Sequence, residues 1–273
     1  MDLHAYLARV GLPPDVADAG PSLETLTRLM EAQSQAIAFE NIDVVLGKQI
    51  SISPADIERQ LVGAGRGGYC FQHNGLLRMA LGALGFDVAP LLCKVRWNKA
   101  PDEHTTFTHV ALAVTLPGGA RYLADVGFAG TNSIAPLLLG SADPQALVDG
   151  VYRTTVREDG FTVASSEVSG VWRDLYMFRD EPCPDIDLEL ANWWSCTHPT
   201  ARFMTQFFAS RAVGADRHHI LDDSYVVRKA DGSSETTEIE SKAQLLELLE
   251  TVFGLAPKET DGIDRYLPAQ ASI

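Results

Sequence analysis

The chain has 273 residues, of which 46% are apolar and 21% charged, a balance typical of globular proteins that excludes disorder and collagen-like repeats. Thirty-six Asp and Glu against 22 Lys and Arg leave a formal charge of −14, which argues against a general nucleic-acid binder, because such proteins need a basic field to displace counterions from phosphates. The longest apolar runs, such as Ile134 to Leu139, are too short for a membrane-spanning helix.

In chain order, the first third reads as helical. Leu3, Tyr6, Leu7 and Val10, then Leu23, Leu26, Leu29 and Met30, recur at the spacing of a one-sided apolar stripe. Ser53-Pro54-Ala55-Asp56 supplies an N-cap, a proline at the first helical position and an early carboxylate, so a helix is expected from there to Gly63. A glycine-rich turn follows, and Phe71, Leu77, Leu81 and Leu84 predict a helix from Cys70 to Gly85.

The period then changes to two. Val88 to Trp97, His109 to Leu116, Ala120 to Phe128, Val151 to Val156 and Phe161 to Val168 are strand-like, the last two joined by the turn Arg157-Glu158-Asp159-Gly160. From Glu181 onward the signals are mixed, with an aromatic-rich stretch from Ala191 to Phe208, a strand at Ser224 to Lys229, an Asp231-Gly232 turn and a helix at Ser241 to Phe253. This order predicts an α+β fold with segregated parts rather than a doubly wound sheet. The leading residues Met1-Asp2-Leu3-His4 have neither the basic stretch nor the apolar core of a secretory leader, so a cytoplasmic protein is expected. Cysteines 70, 93, 183 and 196 form no CxxC pair and are expected to be free thiols.

Arg66-Gly67-Gly68-Tyr69-Cys70 places a cysteine after a flexible turn and in the first turn of a predicted helix, where free backbone N–H groups and the helix dipole favour the thiolate. A buried structural cysteine is the ordinary alternative. His109 and Asp125 flank the Pro117-Gly118-Gly119 turn on neighbouring predicted strands. If that turn is a three-residue loop, Leu116 opposes Ala120, His109 faces Gly127, and Asp125 is the diagonal neighbour of His109 on the same sheet face, ~7–8 Å away at the backbone. Nucleophile, base and orienting anion are then all present. His73 is a rival partner for the thiolate, expected on the helix surface or the pocket wall. Gly63-Ala64-Gly65-Arg66-Gly67-Gly68 matches GxGxxG, but a capped amphipathic helix precedes it where a dinucleotide fold needs a strand. Cys70 with His73, Cys196 with His198, and His218-His219 give no tetrahedral metal spacing.

The run Arg66-Gly67-Gly68-Tyr69-Cys70-Phe71-Gln72-His73-Asn74-Gly75 resembles the nucleophile motif of the arylamine N-acetyltransferases, and Phe39-Glu40-Asn41-Ile42 resembles an upstream signature of that family. Thr108-His109 and Asp125-Val126-Gly127-Phe128 are similar to its histidine and aspartate segments, and Tyr176-Met177-Phe178 and His198-Pro199 to Phe203 to later ones. Ala38 and Ala129 depart from the usual pattern. The resemblance implies a helical bundle at 1–86, an antiparallel β-barrel at 87–185 and an α/β lid at 186–273, around a core like that of cysteine proteases and transglutaminases. It implies acetyl transfer from acetyl-coenzyme A, as a co-substrate and without a tightly bound cofactor, through Cys70 to an arylamine or hydrazine, with His109 as base and Asp125 as its orienter. Trp97, Thr108, Gly127, Phe128 and Phe203 are expected to meet the coenzyme. Lys94, Arg96, Lys99 and the turn from Gly127 to Thr131 are candidates for its phosphates. The expected partners are these small molecules, with no nucleic acid, membrane or metal, in a monomer or homodimer. A thiol protease or transglutaminase-like acyl transferase would use the same three residue types, and a ligand-binding protein would leave Cys70 unreactive.

Overall fold

The computed structural model describes residues 1–130, 132–229 and 233–267. Thr131 and the expected Asp231-Gly232 turn lie outside the described residues.

The N-terminal part is helical: α1 (Leu3–Val10), α2 (Leu23–Ala36), a two-residue strand β1 (Phe39–Glu40), and the short helices α3 (Ile42–Val45) and α4 (Pro54–Ile57). Ser53 caps α4, its hydroxyl accepting from the Asp56 N–H at 3.2 Å. The helix expected to continue to Gly63 instead widens into a π-helical turn over Glu58–Gly63. Its carbonyls have partners outside the turn: Gln60 accepts from the Arg66 N–H and Leu61 from the Arg9 guanidinium, which favours the wider winding. Helix α5 (Cys70–Ala83) follows, and Gly85, at φ +81°, turns the chain out of it.

Eight strands then form one antiparallel sheet: β2 (Asp87–Val95), β3 (Phe107–Thr115), β4 (Arg121–Ala124), β5 (Leu137–Leu138), β6 (Gln145–Leu147), β7 (Gly150–Val156), β8 (Thr162–Val168) and β9 (Val171–Phe178). Their spatial order is β5-β4-β3-β2-β9-β8-β7-β6. The two edges meet through Gln145, whose side-chain amide accepts from the Leu138 N–H at 2.8 Å and donates to the Leu138 carbonyl at 3.0 Å, nearly closing a barrel. The period-two pattern divides β3 between two cores. Ala111 and Ala113 face the barrel interior with Leu91, Leu123 and Phe178, while Leu112 and Val114 face the helical core with Leu26, Leu76 and Leu81.

The last part comprises α6 (Asp185–Thr197), α7 (Arg202–Thr205), strands β10 (Phe208–Val213), β11 (Asp216–Leu221), β12 (Ser224–Arg228) and β13 (Ser234–Glu238), and α8 (Lys242–Thr251), capped by Ser241. Strand β1 joins the edge of this second sheet, Phe39 opposite Ser210 and Glu40 opposite Ala209, so the N-terminal part and the lid share a sheet. Among the described residues no helix is long and apolar enough to cross a membrane.

Candidate active site

Cys70 opens α5 and is nearly buried at 2% exposure. Its position is set from both sides. The Tyr69 N–H donates to Gln72 Oε1 at 3.2 Å, capping the helix start, and the glycine turn runs against β1, where the Glu40 N–H donates to the Gly68 carbonyl at 2.8 Å. A Cβ on Gly67 would lie 2.2 Å from the Ala38 carbonyl oxygen, and one on Gly68 2.5 Å from Gln72 Oε1, so these glycines serve close approach rather than phosphate binding. Arg66 and the buried Glu40 form an ion pair at 2.7 Å, and the other Glu40 oxygen accepts from the Ile42 N–H at 2.7 Å. The two segments that carried the family resemblance thus brace each other.

The hairpin register is the three-residue one. Leu116 donates to Ala120 at 2.8 Å, and Leu112 stands opposite Ala124. His109 and Asp125 therefore point to the same side, and His109 Nε2 lies 2.8 Å from Asp125 Oδ2. The strand expected from Ala120 to Phe128, β4 here, stops at Ala124. Asp125 Oδ1 accepts from the Gly127 N–H at 2.9 Å, a local bond that bends the chain out of the ladder. On β3, a bulge between Cys93 and Lys94 of its neighbour leaves Thr108 outside the pairing, and the Thr108 carbonyl accepts from Cys70 Sγ at 3.7 Å.

Cys70 and His109 both line a cavity of about 820 Å³ between barrel and lid, with Asp125 behind His109. Burial pushes the Cys70 thiol up, and the Asp125 carboxylate pushes it further, against backbone N–H groups of Phe71 and Val110 that favour the thiolate. The helix-start effect anticipated from sequence is present but outweighed, so a thiolate here needs a proton acceptor at hand. For Asp125, burial works to raise the carboxyl, but the His109 charge and hydrogen bonds from His109, Asn74 and Gly127 outweigh it and hold the group below the usual carboxylate range.

Trp97, Thr108, Gly127, Phe128 and Phe203 all line the same cavity. The Phe128 ring stands edge-on to His109 at 5.2 Å, and Phe203 packs on Phe39 and Tyr69 at 5.8 and 5.4 Å. Two basic side chains suggested by the sequence lie elsewhere. Lys94 sits over the Phe107 ring at 4.9 Å, and the Arg96 guanidinium donates to the Ala100 and Glu103 carbonyls, holding the loop that follows. Lys99 does reach the cavity, paired with Glu103 at 2.6 Å. His73 is neither on the helix surface nor on this wall. It is 1% exposed, with Nε2 at 3.1 Å from the Ala38 carbonyl, and burial lowers it to about 4. With Nε2 taken by the backbone and its pKa lowered by burial, it is a poorer partner for Cys70 than His109, which lines the cavity. Sequence reasoning missed Phe39, Trp194, Arg202, His219 and Arg228 in the cavity wall. Both Trp194 and Arg202 fall in the aromatic-rich stretch, and Arg202 also lies in the run His198 to Phe203 that is similar to a family segment.

The chain matches the family described as N-acetyltransferase over residues 22–261. An arylamine N-acetyltransferase of Mycolicibacterium smegmatis is 36% identical over 97% of this chain and 95% of its own length. Arylamine N-acetyltransferase of Mycobacterium tuberculosis superposes with a TM-score of 0.91 at 34% identity, covering 97% of this chain and 99% of that one. Mycobacterium marinum arylamine N-acetyltransferase, solved in complex with CoA, does so at 0.90 and 32%, covering 97% and 98%.

Proposed function

Since the chain belongs to the arylamine N-acetyltransferase family and is an acyltransferase, we propose that it moves an acetyl group from acetyl-coenzyme A onto Cys70 and from there to the nitrogen of an arylamine or arylhydrazine. The observation that carries this reading is the His109 Nε2 to Asp125 Oδ2 contact of 2.8 Å behind a cavity that both His109 and Cys70 line.

With Nε2 committed to the carboxylate, Nδ1 is the nitrogen left to exchange a proton with Cys70. In the first half-reaction His109 accepts the thiol proton, Cys70 Sγ bonds to the acetyl carbon, and the bond to coenzyme A sulfur breaks as that sulfur takes the proton. One thioester replaces another of similar energy. In the second half-reaction the amine nitrogen bonds to the same carbon, the Cys70 sulfur departs, and the amine proton passes to His109 and on to Cys70. Asp125 holds the ring in one tautomer and stabilises the imidazolium throughout. Buried Cys70 is therefore a thiol that ionises only with His109 beside it, since the paired cation replaces the solvation lost on burial.

The relative solved with CoA supports coenzyme A as the acetyl carrier, and the cavity beside Cys70 is the space offered to it here. Trp97, Phe128 and Phe203 give it apolar walls for the pantetheine and the aromatic acceptor. Lys99, Arg202 and Arg228 are the cations lining it and the expected partners of the phosphates. Membership in this family favours acetyl transfer over protease or transglutaminase-like use of the same residues. Intact-mass measurement after brief exposure to acetyl-coenzyme A tests the scheme: one acetyl group on Cys70, lost on adding an arylamine, is expected, and an acetyl group that stays on, or maps to another cysteine, refutes it.

A further inference from the structure

Asn74 lies one turn beyond Cys70 on α5 and has no exposed surface. Its Nδ2 donates to the Val110 carbonyl at 2.7 Å and to Asp125 Oδ1 at 2.9 Å, while its Oδ1 accepts from the Val126 N–H at 3.0 Å. The amide cannot be turned round, because that would set its oxygen against two acceptors and its NH2 against a donor. Val110 follows His109 and Val126 follows Asp125 in sequence, so one side chain is tied to all three segments that bring Cys70, His109 and Asp125 together.

The bonds it makes are those of a missing ladder. Continuing the register of β3 with β4 places Val110 opposite Val126, and the alternation from the bonded pair Leu116 and Ala120 makes this a bonded position. Asn74 occupies the carbonyl and the N–H that would otherwise bond each other. Its amide stands between the strands at the point where pairing stops. Between the last pair, Leu112 with Ala124, and this wedge, Asp125 is free of the pleat, with Oδ1 bonded to Asn74 and the Gly127 N–H and Oδ2 turned to His109, while the Tyr176 side chain on β9 faces the same carboxylate. Room for the amide depends on Gly127, where a Cβ would come within 2.7 Å of Asn74 Nδ2.

We propose that Asn74 is the positioning residue of the acyl-transfer site, opening the β3–β4 ladder by side-chain substitution and fixing the Asp125 carboxylate so that only Oδ2 meets His109. This rests on the reading of Cys70, His109 and Asp125 given above.

The test is the pH dependence of Cys70 alkylation by iodoacetamide, with Cys70 acetylation by acetyl-coenzyme A measured alongside, in the full chain and in Asn74→Ala and Asn74→Asp. Asn74→Ala is expected to slow both reactions about 10- to 100-fold through loss of orientation. Asn74→Asp keeps the shape but sets a second carboxylate against Asp125 Oδ1, so one of the two holds a proton and the acid limb of the profile moves up by about one unit or more. A folded Asn74→Ala with rates within about twofold of the unaltered chain overturns the proposal, as does an unmoved acid limb in Asn74→Asp. An unaltered chain whose Cys70 alkylates no faster than Cys183 overturns the underlying reading instead. Nuclear magnetic resonance on unaltered, 15N-asparagine-labelled protein keeps the question open to test should both variants fail to fold. Slow water exchange of both Asn74 side-chain protons, and a shift on acetylation of Cys70, are expected, and fast exchange overturns the role.

Discussion

His109 Nε2 and Asp125 Oδ2 meet at 2.8 Å with His109 2% and Asp125 4% exposed. Water therefore competes little for either, and the carboxylate acts on the imidazole at close to full strength. Asp125→Asn keeps the volume and removes the charge. Its amide donates toward Nε2, which forces the ring proton to Nδ1 and removes the acceptor that Cys70 needs. Acetylation of Cys70 in a single turnover is expected to slow by about 10²–10⁴-fold, by analogy with triads in which the same change was made, while the melting curve stays cooperative. A slowing of less than about tenfold would refute the role assigned to Asp125.

Gly127 meets the start of α5 more closely than any side chain allows. A Cβ there would lie 2.7 Å from Asn74 Nδ2, 2.8 Å from Cys70 Cα and 3.0 Å from the Cys70 carbonyl oxygen, two of them backbone atoms that do not rotate away. Gly127→Ala is expected to cost about 1–3 kcal/mol of stability by overpacking and to lower activity further by moving Cys70. Urea unfolding together with single-turnover kinetics checks both. A variant as stable and as fast as the parent would show that the chain relaxes away from this contact.

Much of this arrangement was legible in the sequence, for identifiable reasons. The pairing of His109 with Asp125 followed from parity across a turn whose glycines, at φ +102° and +89°, permit the three-residue loop. Cys70 was marked by the glycine turn that lets its helix pack on β1. What stayed hidden was the end of the fourth strand, because the Asn74 wedge comes from a residue 50 positions upstream and leaves no periodic trace. The π-helical turn was equally silent, since it depends on partners in α1 and the glycine turn. Lys94 and Arg96 misled because a run of cations on a strand says nothing of the aromatic rings and carbonyls that take them up. Arg228 and His219 lie on lid strands whose approach to the cavity is a matter of tertiary packing alone.

The Glu40–Arg66 pair is buried on the carboxylate side, Glu40 being 2% exposed and the Arg66 side chain 18%. Burial raises the Glu40 carboxyl, and the Arg66 charge only partly offsets it. Arg66→Met removes that offset and leaves a buried anion to lose its charge or find water. A loss of about 3–5 kcal/mol is expected in urea unfolding. Adding Glu40→Gln to Arg66→Met should recover part of it, since the amide needs no counter-charge. A double variant no more stable than Arg66→Met would place the defect in packing rather than charge.

His73 makes a separate, pH-dependent contribution. Burial lowers its pKa to about 4 from an ordinary 6.5, so the folded chain keeps it neutral where the unfolded chain protonates it. Its favourable term is complete above pH 6.5 and is lost as pH falls toward 4, amounting to about 2 kcal/mol by pH 5. His219, also lowered to about 4, adds in the same direction. His73→Gln retains a donor for the Ala38 carbonyl but has no proton to gain. The variant is expected to be less stable at pH 7 and to lose less stability than the parent between pH 7 and pH 5, as read from urea unfolding at the two values. Parallel losses in the two proteins would mean that the folded state admits the protonated ring, and would remove His73 from the account of acid lability.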